Sequence, residues 1–399
     1  MRHVTPILLA AAALLAACGS TPVAAPSAVA AKPASAAPAS AAPGSAAGKP
    51  SPAASSAAAS AAAQSQDWDK TLAAAKQEGK VSIFIPIGDE LHAALVDAFE
   101  KQYGIQVDAL SVQGPEAPPR VSGERNAGKY LWDMYIGGTT SVITGLLPIQ
   151  PFDPIEPALM LPEVTNMQNW RGGALEFLDK DRTLMVTAPY QRGTIFINTN
   201  LVKPDAITSY KDLLDPKWSG KMVTDDPRHP GPGAATFTFF YLQPDLGPDY
   251  IRSLAKQQLL VMGDYTQEAD AIGQGKNPIL IGGNDYSVEP LIAKGIPAGV
   301  VSAKQLKEGT DLNAGSSGVA LFNKAPHPNA AKVYLNWLLT KQGQTGFVRA
   351  LGYVSARLDV PTDHVEPWRV PQPGAIKTYS QEALAARDKV TALAKEVLQ

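Results

Sequence analysis

The feature that most restricts the fold of this chain is an alternation of buried-strand and helix patterns that begins near residue 67. Residues 67–79 (DWDKTLAAAKQEG) predict a helix that ends at Gly79, residues 80–88 (KVSIFIPIG) a buried strand, and residues 89–104 an amphipathic helix. The next strand is predicted at residues 105–112 (IQVDALSV). This β-α-β order requires a parallel sheet flanked by helices and therefore predicts the α/β class.

The first 18 residues have the pattern of an export signal. Arg2 and His3 precede an apolar run, Ile7 to Ala17, that is too short to span a bilayer. The run ends in LAAC, which resembles a bacterial lipobox, and Cys18 is the only cysteine of the chain. We therefore expect lipidation of Cys18, no internal disulfide, and an exported protein held by its lipid at the outer face of the cytoplasmic membrane.

The segment that follows, residues 19–66, consists almost entirely of Ala, Ser and Pro. Lys32 and Lys49 are its only charged residues, and it has no aromatic residue. Such a segment cannot bury a core and predicts a disordered tether, while its recurring prolines weaken the alternative of an alanine-rich helix. The remainder, residues 67–399, is long for a single core and predicts two lobes.

Charge and hydropathy narrow the range of partners. The chain has a net charge of −2, and no basic stripe with interleaved aromatic residues is present, which argues against nucleic acid. No second run of 18 apolar residues occurs, so the folded part is expected to contact the membrane only through the lipid. We expect it to act as a monomer.

Short signatures of catalysis are absent from the sequence. It has no G-x-S-x-G, H-E-x-x-H or G-x-x-x-x-G-K-[ST], and its five histidines form no pair at metal-ligand spacing. The adjacent Asp225 and Asp226 fit a turn-and-cap device better than an acid/base dyad. The sequence therefore favours a protein that is not an enzyme and holds no cofactor and no resident metal.

Five stretches in fixed order carry a resemblance to a known family: WDKTLAAAKQEGKVSIFIP, GERNAGKYLWD, FINTNLVKPDAITSYKDLLDPKWSGKMVTDDPRHPGPG, NKAPHPNAAKVYLNWLLTKQGQ and YVSARLDVP. Together they resemble bacterial extracellular solute-binding proteins of family 1, most closely the ferric-iron-type branch of ABC importers. The resemblance covers residues 67–399. It implies a type II-like periplasmic-binding-protein fold, a solute cleft between two lobes that closes by hinge motion, and delivery to a membrane permease powered by a cytoplasmic ATPase.

The family outline also implies lobe boundaries. Lobe one takes residues 67–185 plus 318–345, and lobe two takes residues 200–315 plus 346–399. The crossover strands between the lobes are expected near residues 185–198 (MVTAPYQRGTIFIN) and 316–323 (SSGVALFN). Trp218, in a stretch that resembles a surface helix and turn, is expected to be a packing anchor.

A candidate anion site follows the predicted strand MVTD in lobe two. Residues 226–233 (DPRHPGPG) form a glycine and proline loop before a predicted helix whose first N–H groups lack internal partners. Asp226 lies in this loop, Arg228 can offer a bidentate fork, and Gly231 and Gly233 allow a ligand to approach the backbone. The alternative is a strand-to-helix turn that needs glycine for its own geometry.

The other candidate ligand-binding residues come from three further segments. In lobe one, Gly138, Thr139 and Thr140 open a predicted helix, where a threonine could equally be an N-cap. Arg192 lies on the first crossover. The turn after the buried strand PILIGG adds three more polar residues at the carboxyl end of a parallel strand, where ligand crevices form: Asn284, Asp285 and Tyr286.

The nature of the solute depends on these residues. Ferric-binding members of the family typically present two adjacent tyrosines in the second lobe, whereas the matching stretch GGNDYSVEP contains Tyr286 alone. Together with the two arginines, this departure favours a small organic anion such as a carboxylate or phosphonate. Ferric iron with Tyr286 as a ligand is the alternative solute, and a two-lobed sensory or adhesive lipoprotein or a secreted enzyme are the alternative functions.

Overall fold

The structure is a computed structural model that describes residues 66–398 except 114, 115 and 303, and the backbone but not the side chain of Tyr286. The predicted signal peptide, Cys18 and the predicted tether up to residue 65 lie outside the described residues. Within the described part of the chain, every helix is too short or too polar to cross a bilayer.

Fourteen strands are present among the described residues. In chain order they are β1 (Lys80–Ile85), β2 (Gln106–Ser111), β3 (Met134–Gly137), β4 (Phe152–Asp153), β5 (Glu176–Phe177), β6 (Met185–Val186), β7 (Tyr190–Gln191), β8 (Ile195–Asn198), β9 (Met222–Asp225), β10 (Leu260–Met262), β11 (Ile279–Ile281), β12 (Ala298–Val301), β13 (Leu312–Asn313) and β14 (Gly318–Phe322).

The α-helices alternate with these strands. They are α1 (66–78), α2 (Asp89–His92), α3 (Ala98–Tyr103), α4 (Ala117–Asn126), α5 (Thr139–Ser141), α6 (Pro162–Thr165), α7 (Pro232–Leu242), α8 (Gly247–Ala255), α9 (Tyr265–Gly273), α10 (Asp285–Ala293), α11 (Pro328–Leu339), α12 (Lys341–Leu351) and α13 (Gln381–Val397). Two π-helical segments, Ala93–Asp97 and Val142–Leu146, continue α2 into α3 and extend α5. Short 3₁₀ turns occur at Leu147–Ile149, Glu156–Ala158, Met167–Asn169, Arg171–Gly173, Pro204–Ala206, Tyr210–Leu214, Pro216–Trp218 and Pro367–Arg369.

The first sheet has the strand order β2-β1-β3-β14-β6-β5, and β4 pairs with β14. β1 runs parallel to both β2 and β3, as the β-α-β pattern predicts. Five of the six residues of β1 are buried, because helices cover both faces of such a strand. β14 runs antiparallel to β3 in the centre of the sheet, although it comes from a part of the sequence almost 200 residues away.

The second sheet has the order β10-β9-β11-β8-β12. β9 is parallel to β10 and β11, and β8 is antiparallel to β11 and β12. Ile281 pairs with Thr224, so β9 and β11 end side by side at one edge. α7 and α10 begin just beyond this edge, which is the side of an open α/β sheet where ligands bind.

The chain passes from the first sheet to the second between β6 and β8 and returns between β12 and β14. On these two passages β7 and β13 form a two-stranded antiparallel ribbon. Residue Lys377 then bridges to Leu312, and α13 packs against α7 and α8. The predicted α/β class with two sheet-centred lobes and crossover strands is confirmed.

The hydrophobic cores follow the two sheets, and they adjust one lobe assignment. Trp218 is buried in the core of the second sheet, which also includes Val390 and Leu393 of α13. By contrast, Phe347 and Tyr353 pack in the core of the first sheet. Residues 347–360, which the sequence analysis placed in lobe two, thus contribute side chains to the core of the first sheet, because the apolar face of α12 continues the packing of α11.

Candidate functional site

The end of β9 and the start of α7 touch each other directly. The backbone N–H of Gly233 donates to Asp225 Oδ2 over 2.6 Å, so the carboxylate caps the helix. A Cβ on Gly233 would collide with the backbone carbonyl of Asp225. Glycine is therefore required here by the turn itself, and at least this helix-start donor is already used by a side chain of the protein.

Asp226 and Arg228 of the same loop pair with each other. Arg228 Nε and Nη2 donate to the two oxygens of Asp226 over 2.8 and 2.9 Å, and Nη1 donates to the carbonyl of Leu398 over 3.3 Å. Partial burial acts to raise the pKa of Asp226, but the bonds from Arg228 outweigh it and hold this pKa below its ordinary value. The guanidinium fork that the sequence offered to an anion is thus occupied by a neighbouring carboxylate.

Arg192 is the centre of a buried charge network. Its guanidinium lies 3.6 Å from Asp311 and 3.9 Å from Asp285, and it donates to the carbonyls of Pro232 and Gly283 over 3.2 and 3.3 Å. Burial disfavours its charge, but Asp311 and Asp285 outweigh burial and raise the pKa of Arg192. Arg192 therefore joins β7, the start of α7 and the end of β11.

Asp285 also accepts the backbone N–H of Gly193 over 3.1 Å and lies 3.9 Å from Arg369, which pairs with Glu289. Burial raises the pKa of Asp285 to about 6, although Arg192 and Arg369 oppose this effect. We refer to Arg192, Arg369, Asp285, Glu289 and Asp311 together as the arginine network. Each of its two guanidinium groups has carboxylate partners within 4 Å.

The predicted residues of lobe one lie at the end of β3. The helix begins at Thr139 with Gly138 in the cap position and no side-chain cap, so the alternative of a threonine N-cap is wrong. Thr139 is buried, and its N–H donates to the carbonyl of Gly315 on the return passage over 3.4 Å. Thr140 is half-buried on the same turn.

The remaining predicted residues lie at the edge of the second sheet. Asn284 is half-buried in the turn before α10, and its carbonyl accepts the N–H of Ser287 over 3.1 Å. The backbone of Tyr286 is in the first turn of α10, and its side chain lies outside the described part of the structure. The structure thus brings Arg192 together with Asp285, and Asp226 with Arg228, but places Thr139 and Thr140 in α5, beyond the end of a strand of the first sheet.

Two residues that the sequence analysis missed, Tyr265 and Glu268 on the first turn of α9, face Asp225. A Cβ placed on Gly231 would lie 3.1 Å from both Asp225 Oδ2 and Tyr265 Oη, so these two oxygens flank one small space. Glu268 is fully buried, and its carboxyl group lies within hydrogen-bond reach of the carboxyl group of Asp225. We refer to Asp225, Tyr265 and Glu268 as the oxygen cluster.

The members of the oxygen cluster act on each other electrostatically. Burial and then the neighbouring Asp225 raise the pKa of Glu268 to about 8. Burial likewise raises the pKa of Asp225 and of Tyr265, and Arg192 opposes this in both groups. Asp225 and Glu268 are also hydrogen-bonded to each other, with the proton on Glu268, whose pKa this bond raises while it lowers that of Asp225. Two carboxyl groups thus lie together without a guanidinium or ammonium partner within salt-bridge distance.

A sequence signal for Glu268 exists in hindsight. Ala271 and Ile272 are buried and lie three and four positions further along α9, so Glu268 occupies the apolar face of that helix. A carboxylate on an apolar helix face is unusual and commonly has a partner or a function.

Two other kinds of site are relevant among the described residues, a cluster of metal ligands and a cavity. No three His, Cys, Asp or Glu side chains there converge as a metal site, and the oxygen cluster combines two carboxyl groups with a phenol. A cavity of about 650 Å³ lies beside α10, with Glu289, His364, Trp368 and Arg369 in its wall. It therefore borders the arginine network and none of the predicted ligand-binding residues.

Comparison with known proteins places the chain in a family. Residues 94–372 match the family model of the bacterial extracellular solute-binding proteins. The iron uptake protein A1 of Synechocystis sp. is 22% identical over 163 residues, which are 38% of this chain. That match spans only 44% of the relative's length.

Solved structures share the fold at low identity. Trichodesmium FutA (IdiA), in complex with iron and citrate ligands, is 17% identical with a TM-score of 0.61 over 80% of this chain and 99% of its own. AfuA of Actinobacillus pleuropneumoniae, with fructose-6-phosphate bound, is 17% identical with a TM-score of 0.54 over 80% and 97%. This protein therefore belongs to the bacterial extracellular solute-binding proteins, which are not enzymes but the substrate-binding components of ABC importers.

Proposed function

We propose that this chain captures ferric iron, held together with a small carboxylate chelator, and delivers it to an ABC permease. The support from relatives is that an iron uptake protein matches part of the sequence and that a neighbour of the same fold was solved with iron and citrate. This is the solute that the sequence analysis ranked second, behind an organic anion.

The observation that carries the proposal is the charge balance at the edge of the second sheet. Its carboxyl groups are Asp225, Asp226, Glu268, Asp285 and Asp311, and its guanidinium groups are Arg192 and Arg228. Glu289 adds one more carboxyl group, and Arg369 adds one more guanidinium group. Acidic groups therefore outnumber basic ones, which favours a cation over a free anion, and carboxylate and phenol oxygens suit a hard cation.

A free organic anion remains the competing proposal, and AfuA makes it specific because a sugar phosphate is bound in that neighbour. For such a solute, Arg192 or Arg228 would have to exchange a carboxylate partner for the ligand. Buried pairs of this kind resist separation, because the abandoned carboxylate loses its compensating charge.

We also keep the proposals of a lipid anchor at Cys18, a flexible tether, and a single chain as the working unit. They agree with an extracellular solute-binding protein, since a lipid on a long tether holds the folded part near the permease. The lobes are proposed to close on the solute by rotation about the two passages that contain β7 and β13.

A thermal-shift panel on the purified full-length protein tests the solute. We expect ferric citrate to raise the melting temperature, since a ligand that binds only the folded state stabilises it, and citrate alone to have no effect. Native mass spectrometry of the same sample should show a mass increase for one ferric ion plus chelator. Stabilisation by fructose 6-phosphate or citrate without iron, and none by ferric citrate, would contradict the proposal.

A further inference from the structure

We propose that the ligands to the ferric ion on the second sheet are Asp225, Glu268 and Tyr265, and not Tyr286. This inference rests on the proposed function and assigns the metal to the oxygen cluster at the junction of β9, α7 and α9. This position differs from the start of α10, where the sequence analysis placed Tyr286 as the ligand in its ferric-iron alternative.

The geometry of the cluster provides the first argument. Asp225 Oδ2 and Tyr265 Oη both lie 3.1 Å from the position of a Cβ on Gly231, and Gly231 has no side chain to fill that position. Glu268 is on the same turn of α9 as Tyr265, three residues later. One oxygen from the end of β9 and one from the start of α9 therefore border a gap that Gly231 keeps open.

The burial of Glu268 provides the second argument. Its side chain is 0% exposed, and its hydrogen-bond partner is another acid, the carboxyl group of Asp225, with which it shares one proton. Buried carboxyl groups that have only each other are costly, so natural proteins retain them mainly where a ligand or a function compensates for them. A bound cation would replace the shared proton and compensate both carboxylates, which no described side chain does within salt-bridge distance.

The chemistry of the donors fits a trivalent hard cation. Carboxylate and phenolate oxygens bind ferric iron well, and a phenol loses its proton to solvent when the metal takes its oxygen. The positive charge of Arg192 acts to lower the pKa of Asp225 and Tyr265, but it also repels a cation bound beside them. Asp285 and Asp311 lie within 4 Å of Arg192 and offset this repulsion. Three protein oxygens leave coordination positions for a chelating carboxylate.

The competing explanation is a structural carboxyl pair, in which Asp225 and Glu268 share a proton and never bind a metal. In that case the phenol of Tyr265 would have no metal to bind, and adding ferric iron would produce no visible absorbance band from it. A bound ferric ion would instead produce a visible phenolate-to-iron charge-transfer band, which reports directly on the tyrosine oxygen.

The test is a titration of the full-length protein with ferric citrate, followed by visible absorbance and by competition with excess citrate. We expect the unaltered protein to develop the band, Tyr265→Phe to lose it, and Glu268→Gln to keep it but to bind iron at least tenfold more weakly. Asp270→Asn is the matched control, because Asp270 is exposed on the same helix, and it should behave as the unaltered protein.

The outcomes separate this inference from the proposed function. If the unaltered protein binds no ferric iron, the proposed function is wrong. If it binds iron and the band survives in Tyr265→Phe but disappears in Tyr286→Phe, the function stands and the assignment to the oxygen cluster is overturned. Iron binding without any band overturns it as well. Should Tyr265→Phe not fold, Glu268→Gln decides, and unchanged affinity in that variant contradicts the assignment.

Discussion

The arginine network and the oxygen cluster lie at the same edge of the second sheet, yet they differ in how their charges are satisfied. Arg192 is 3% exposed and has two carboxylates within 4 Å, together with two backbone carbonyls. Glu268 is also buried, but the group that acts most strongly on its charge is another carboxyl group, that of Asp225. The first group pairs opposite charges, whereas in the second two acidic groups share one proton and no cation compensates them.

The difference teaches how to separate structural charge from binding charge. A buried ion pair that is fully partnered holds elements together, and removing one member leaves an uncompensated charge. Two buried acidic groups that have only each other are held together by the rest of the fold at a cost in stability, and a bound cation can recover that cost. The predictions below test this contrast, starting with the largest expected effect.

Removing the central cation of the arginine network should cost the most. We expect Arg192→Met to lower the free energy of unfolding by roughly 3–5 kcal/mol, because Asp285 and Asp311 remain buried without compensation. Urea denaturation at pH 7 measures it. The reference is Arg228→Gln, and a loss for Arg192→Met no larger than for that reference would show that the network is not structural.

The oxygen cluster should respond to pH in the opposite sense to an ordinary salt-bridged carboxylate. Glu268 has a pKa of about 8 in the folded protein and an ordinary value of 4.5, so between these values the folded chain holds a proton that the unfolded chain has lost. In chelator-treated protein, the free energy of unfolding should fall as pH rises through this window, by at most about 1.4 kcal/mol per pH unit.

Glu268→Gln should flatten this dependence and be the more stable protein at pH 8, since the amide cannot ionise. Urea denaturation at pH 5 and pH 8 measures both slopes. Equal slopes in the two proteins would mean that Glu268 is not held in its neutral form.

The contact between Asp225 and the start of α7 should be intolerant of a methyl group. Gly233→Ala places a Cβ against the backbone of Asp225, and we expect a loss of about 1–3 kcal/mol and weaker ferric binding. Gly263→Ala is the control, because no atom lies within 4 Å of its added Cβ. Calorimetric melting of both variants gives the comparison, and equal stability of the two would remove the steric argument.

The smallest effect is expected for the arginine of the candidate anion site. Arg228 is 30% exposed and pairs with Asp226, so Arg228→Gln should cost about 0.2–1 kcal/mol. It should change ferric binding by less than about threefold, as measured by citrate competition. A tenfold loss of affinity would return Arg228 to the binding site.

The sequence was informative wherever the evidence is local in the chain. The run from residue 80 to 111 predicted two parallel strands because their apolar patterns and the intervening helix are contiguous. The first passage between the sheets lies within the residues named as the first crossover, whereas most of the second predicted crossover is β14 of the first sheet. The Asp225–Asp226 turn was correctly predicted to be a cap.

What the sequence could not provide is the pairing of distant charges. Asp311 lies 119 positions from Arg192, so nothing local indicates that the arginine is already neutralised. For the same reason, the proximity of Asp225 to Glu268 depends on the docking of α9 against β9, which no periodicity specifies. In the candidate anion site, by contrast, the pairing of Arg228 with Asp226 is local, and the sequence analysis did not anticipate it.

The most direct test of the account is an anomalous difference map at the iron absorption edge, from crystals of the protein grown with ferric citrate. The account predicts a single strong peak within coordination distance of the oxygens of Asp225, Glu268 and Tyr265, with chelator density beside it and the arginine network unchanged. A peak at Tyr286, or an organic anion bound to Arg192 or Arg228 with no iron peak, would contradict it.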